Sequence, residues 1–110
     1  MSAADAAGAR IVLITHPEEG AQGFARDLVE RRLAACVNLV PVESVYRWQG
    51  AVEAGGERML VVKTRLARVL ELERFVAAEH PYDIPEFVVL APEHVGADYL
   101  RWVLAETDAD

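Results

Sequence analysis

Residues 33–50, LAACVNLVPVESVYRWQG, read as extended chain over a length that a domain of 110 residues can barely contain. Val37, Leu39, Val40, Val42, Val45, Tyr46 and Trp48 all favour the extended backbone. The only interruptions are Asn38, Pro41 and the closing Gln49-Gly50. A single strand over 35–48 would reach roughly 43 Å at ~3.3 Å per residue, whereas a typical strand has about five or six residues. A globule of this size is roughly 34 Å across. Tyr46-Arg47-Trp48 would then overhang the core with two aromatics to cover, and a second copy of the chain would cover them. Pro41 suits an edge or a bulge, and a kink there would let one strand serve two sheets. Two short strands broken by a turn at Pro41 are the other reading. The local sequence leaves both open.

The length suits one domain with a single core. The opening MSAADAAGAR carries Asp5 and lacks an apolar h-region, so it is expected to be a short disordered tail over 1–9, ahead of a single domain over 10–110. A formal net charge of −7 argues against nucleic acid as a general partner, because phosphate binding needs a basic face. No apolar run approaches the ~18 residues needed to span a membrane, so no membrane partner is expected. Cys36 is the one cysteine, which excludes an intrachain disulfide and suits a reducing compartment, the cytoplasm.

Ile11-Val12-Leu13-Ile14 reads as a central strand buried on both faces. Thr15, Pro17 and Glu18 are placed as the N-cap, first turn and capping acid of a helix. Ala21, Phe24, Ala25, Leu28, Val29, Arg32 and Leu33 then give it an amphipathic stripe of about four turns. After the long extended run, Gly55-Gly56 is a turn signal, and 59–64 forms a third strand antiparallel to the second. Thr64 suits the cap of the next helix, whose stripe runs from Leu66 to Val76 and which Pro81 stops. A fourth strand follows over 87–91. Gly96-Ala97-Asp98 opens a last helix bearing Tyr99, Leu100, Trp102, Val103 and Leu104, whose end from Thr107 is expected to fray.

This order, β-α-β twice and then a helix, predicts an α+β, ferredoxin-like fold: a four-stranded antiparallel sheet with both main helices on one face. The other face must be polar, or be covered by the last helix or by a partner subunit. A trimeric or other closed ring follows if one chain's long strand pairs with the next chain's edge.

Five fragments occur together and in order: LAACVNLVP at 33–41, SVYRWQG at 44–50, VVKT at 61–64, HPYDIPE at 80–86 and YLRW at 99–102. Together they resemble the CutA family, the divalent-cation tolerance proteins, over nearly everything from Ile11 to Leu104. The resemblance implies a ferredoxin-like subunit in a compact homotrimer whose long strand pairs between subunits. It also implies tolerance to divalent metals, copper above all, through binding of copper or another divalent metal ion as part of a response to metal. It brings no established catalytic reaction. Bacterial members can carry a cysteine at the end of the first strand. Here that place, in VLITHPEE, falls to Ile14, which weakens the copper expectation unless His16 partly substitutes.

Cys36 is a soft ligand suited to copper or zinc, or else a small core residue. His80 is the metal candidate to which the resemblance points, or else a helix C-terminal imidazole stacked on Tyr82. Glu86 is the carboxylate expected nearest to His80, and Asp83 reads as a turn former. No CxxC, HExxH or P-loop pattern occurs, and no acid/base or nucleophile set can be assembled, so a non-enzymatic role is expected. Tyr46, Arg47, Trp48, Lys63, Tyr82 and Trp102 are candidates to line a cleft between subunits, where the aromatics serve equally well as interface anchors. Trimers with long inter-subunit strands also resemble the PII architecture, so a small-molecule or anion sensor, with Arg47, Lys63 and Arg65 as polar contacts, is the alternative. A scaffold without ligand is a third reading.

Overall fold

The apolar run near the head of the chain becomes the middle of the sheet. In a computed structural model describing residues 8–108, the elements are β1 (Ala9–His16), α1 (Ala21–Glu30), β2 (Cys36–Trp48), β3 (Ala51–Arg65), α2 (Leu66–Glu79), β4 (Val88–Leu90) and α3 (Ala97–Glu106). The strands lie in the order β2-β3-β1-β4, every neighbouring pair antiparallel. This is the ferredoxin-like arrangement expected from the element order. Val12, Ile14, Leu60 and Val62 point from the sheet into a core closed by Phe24 and Leu28 of α1 and Leu72 and Val76 of α2. Each of these large side chains contributes about 1.5–3 kcal/mol by leaving water. α3 packs on the opposite face against β3 and β1. Among the described residues no helix is long and apolar enough to cross a membrane.

β2 runs unbroken through Pro41. It is an edge strand, where proline is tolerated. Of the two readings of the long stretch, the single strand is the one adopted. Its turn is not at Gly55-Gly56, which lie within β3 opposite Ser44 and Glu43. It is at Gln49-Gly50, with φ of 50° and 83°. Two left-handed residues match the twist of the flanking strands in a tight hairpin, and a second residue without Cβ removes half the strain.

Other boundaries moved for equally local reasons. Thr15 stays in β1, paired with Met59, rather than capping a helix. α1 begins instead after Gly20, whose φ of 85° turns the chain. α1 also stops earlier than its apolar spacing suggests. Arg32 adopts φ 60°, and the Leu33 and Ala34 amides both donate to the Leu28 carbonyl. Leu33 thus reaches the core from a loop that closes the helix. Thr64 remains in β3 and caps nothing. Arg65 precedes α2, and the buried Thr64 Oγ1 has no hydrogen-bond partner among the described residues.

The expected tail and the expected fraying end each give up residues to the fold. Ala9 is buried at the start of β1, and the Leu66 amide donates to the Gly8 carbonyl at 2.7 Å. Residues 1–7 lie outside the described chain. Thr107 is buried and donates to the Val103 carbonyl at 2.7 Å. Arg65 binds its hydroxyl and the Leu104 carbonyl, and Arg32 donates to the Glu106 carbonyl at 3.2 Å. Two guanidiniums at the negative end of α3 satisfy carbonyls that would otherwise be orphaned. Residues 109–110 lie outside the described chain.

The sheet is four strands wide only over Ile11–Leu13, where β4 pairs with β1, and three wide until β1 ends at the His16–Arg58 pair. Beyond it, seven further pairs of β2 and β3, Val42–Glu57 to Trp48–Ala51, continue as a two-stranded ribbon. That ribbon is roughly 23 Å long at ~3.3 Å per residue and stretches the molecule to 45 Å. Val45 and Val52 are 73% and 64% exposed on one face of the ribbon, and Tyr46 and Trp48 are exposed on the other.

The turn assignment predicts opposite signs for two glycine substitutions. Gly50→Thr should destabilise by about 1–2 kcal/mol, the cost of a side chain in the left-handed region. Gly55→Thr should stabilise by about 0.5–1 kcal/mol, because a β-branched residue fits a strand better. Chemical denaturation midpoints of the two variants read the difference, and the reverse order would put the turn at Gly55-Gly56.

Candidate functional site

Pro81 holds the residue before it out of helical backbone. His80 therefore ends α2 extended, at φ −77° and ψ 141°. Its ring turns back under the end of β1. Nε2 donates to the Thr15 carbonyl at 2.8 Å, and the Tyr82 amide donates to Nδ1 at 3.0 Å. A carbonyl only accepts and an amide N–H only donates, so the ring is neutral with its proton on Nε2. It lies 4.9 Å from the rings of both His16 and Tyr82 and 5.6 Å from Phe24. Burial pushes its pKa below the ordinary histidine value; the Thr15 bond opposes this, His16 adds to it and Glu57 opposes it. Both ring nitrogens are thus occupied by backbone. A metal at His80 would have to displace one of these bonds.

Past Pro81 the chain turns toward the ribbon. Tyr82 donates its hydroxyl to Glu57 at 2.8 Å. Burial, then the Glu57 bond and charge, and then Tyr46 push the phenol up to about 12. Glu86 is pushed up as well, first by burial and then by the charge of Glu57. Glu57 is therefore the centre of a small group with Tyr82, Glu86 and the more distant Tyr46. The sequence drew no attention to Glu57. Only the hairpin register, which sets it opposite Val42 just beyond the end of β1, brings it here.

Cys36 stands elsewhere. It is half-buried at the start of β2, paired with Lys63, and near enough to Tyr99 on α3 to affect the ionisation of that phenol. Burial and then the thiol push the Tyr99 phenol up. Cys36 shares the face of α3, whereas His80 packs with Phe24 on the face of α1. The two registers are also four residues apart along β3, at Lys63 and Met59, or roughly 13 Å. Among the described residues no three His, Cys, Asp or Glu side chains stand together as a metal would require. Cys36, His80 and Glu86 are therefore not gathered into one site within a single chain.

The six cleft candidates fall into three places. Tyr46, Arg47 and Trp48 occupy the ribbon end. Tyr82 is on Glu57. Lys63 bonds Asn38 beside Cys36, and Trp102 packs on Tyr99 at 5.5 Å. Arg65, the further polar candidate, is committed to the end of α3.

Residues 10–106 match the family model described as CutA1 divalent ion tolerance protein. The chain is 48% identical over 99 residues to the divalent-cation tolerance protein CutA of Thermus thermophilus, covering 88% of this chain and 96% of that one. It is 41% identical over 98 residues to Protein CutA of Mus musculus, covering 87% of this chain but only 55% of the longer relative. The solved structure of the PII-like protein CutA from Nostoc sp. PCC 7120 in apo form superposes with a TM-score of 0.87 at 36% identity, over 92% of this chain and 99% of that one.

The His80 arrangement sets a pH dependence. Its folded pKa lies below the unfolded value of about 6.5, so the unfolded state takes up a proton first. The stability held by neutral His80 is complete above pH ~6.5 and falls as pH drops toward the folded pKa. The melting temperature should therefore drop between pH 7 and pH 5, and the part due to His80 should vanish in His80→Gln. An NMR titration that finds His80 charged at pH 7 would contradict this geometry.

Proposed function

Because this chain belongs to the CutA1 divalent ion tolerance family, we propose that it acts as a non-enzymatic homotrimer that binds a divalent metal ion, copper or another, in a response to metal. The observation that carries the reading is the ribbon beyond the sheet. A two-stranded hairpin is marginal alone in water, and this one bears exposed valine, tyrosine and tryptophan on its two faces. Val40, Val88 and Leu90 add exposed apolar area on the sheet. Sister subunits supply the third strand and the cover. Closed rotational symmetry lets each ribbon be donor and recipient in turn.

For the metal, the described donors of one subunit do not make a preformed site, so the ion is held where subunits meet. Glu86 with Glu57 is the best-suited pair, because a divalent cation offsets the burial and, after it, the Glu57 charge that together raise Glu86. His80 joins only by giving up a backbone bond. Cys36 joins only if another subunit closes the distance to it. The single half-buried thiol suits the reducing cytoplasm.

A PII-like sensor of small molecules or anions is the second reading. It is favoured by the name of the Nostoc relative and by the nearness of Tyr46 to Tyr82, felt in the ionisation of Tyr82. Its ligand would lie between subunits against Tyr46, Arg47, Trp48, Lys63, Tyr82 and Trp102.

Calorimetric titration with Cu(II) separates the two. The metal reading expects saturable binding that Glu86→Gln weakens roughly tenfold, about 1.4 kcal/mol, with a smaller effect of Cys36→Ser. Absence of Cu(II) binding, together with a melting temperature raised by nucleotides or organic anions, would replace it with the sensor reading.

A further inference from the structure

A groove of about 560 Å³ opens on the helix side of the sheet, between the first half of α1 and the chain leaving α2. Its rim carries Glu19, Asp27 and Glu79. None of these carboxylates forms an ion pair or a side-chain hydrogen bond with a described residue. Pro17, Phe24 and Pro81 give it an apolar lining.

His16 lines the same groove while only 4% exposed. Its Nδ1 lies 2.8 Å from the Pro17 carbonyl, which can only accept, so the proton is on Nδ1. In the neutral ring Nε2 then offers a bare lone pair, and this nitrogen has no partner among the described residues. The ring edge faces the groove's Gly20, where an added Cβ would come within 3.5 Å of His16 Cε1.

Gly23 adds an independent sign. It sits inside α1, where glycine weakens a helix. A Cβ there would meet nothing within 4 Å. Among the described residues no packing contact requires its lack of a side chain, and the position lines the groove.

We propose that this groove binds an aliphatic polyamine. Ammonium groups pair with Glu19, Asp27 and Glu79, one N–H donates to His16 Nε2, and the methylene chain lies over Phe24 and the two prolines. The carboxylates do not converge with a third ligand as a coordinated metal needs, whereas a linear cation with several separated charges meets dispersed acceptors one at a time. The site stands on the face away from Cys36 and is independent of the metal reading.

Calorimetric titration of the full chain with spermidine, at ~150 mM salt to screen diffuse attraction, tests this. The expected result is saturable binding, weakened several-fold by Asp27→Asn or Glu79→Gln and at least threefold by His16→Phe, which keeps a ring in the aromatic stack. Gly23→Leu should abolish binding while leaving the melting temperature equal or higher, since leucine is the better helix former. In wild-type protein the amide shifts on titration should centre on Gly20, Gly23 and Asp27. Non-saturable binding, full displacement by Mg²⁺ at equal charge, equal affinity for 1-butylamine, unchanged affinity in Gly23→Leu, or shifts centred elsewhere would each overturn the proposal.

Discussion

Everything distinctive in this fold follows from a hairpin whose arms are longer than the sheet they belong to. β1 supports β3 only as far as Arg58, and past that point β2 and β3 have only each other. Two paired strands bury little, because each leaves two faces and an outer edge to water. Nature usually blunts such edges with charge or proline. Here Pro41 lies near the root of the ribbon, while its outer half carries Val45, Tyr46, Trp48 and Val52. An apolar ribbon of this kind is favourable only as part of a larger sheet. On the proposed reading, self-association is the condition under which the extended hairpin is stable, rather than an addition to a finished subunit.

The same geometry creates the candidate site. Where β1 stops, the end of α2 brings His80 under the Thr15 carbonyl, and the next residues carry Tyr82 across to Glu57 on the ribbon. The rigid HPYDIPE segment thus ties the helix layer to the root of the ribbon. His80 works mainly as a polar pin within an aromatic cluster. Glu57 and Glu86 are the carboxylates of this group, beside the root of the ribbon. Fold and proposed function meet at that boundary.

The architecture was legible because its signals were redundant. Apolar runs at 11–14 and 59–64, two helical stripes and the order of elements all point to one sheet with two helices on a face. The misplaced details each depended on a competition that local sequence does not decide. Gly55-Gly56 is a strong turn signal, yet Gln49-Gly50 took the turn because the two strands gain more by pairing through to Trp48. Thr15 had the chemistry of a helix cap, but the ladder with Met59 claimed its backbone. Leu33 kept helical spacing while lying beyond the helix, since a loop can bury the same side chain. At the site, Cys36, His80 and Glu86 were chosen by chemical type. The separation of Cys36 from His80 depends on strand register and face, and the importance of Glu57 depends on hairpin register alone.

Sedimentation equilibrium of the chain at micromolar concentration, read together with tryptophan emission, bears most directly on the unsupported ribbon. A single species at three times the 12.1 kDa chain mass, with blue-shifted emission that Trp48→Phe largely removes, is the result this account requires. Folded 12.1 kDa monomers whose Trp48 emits as if in water would contradict it.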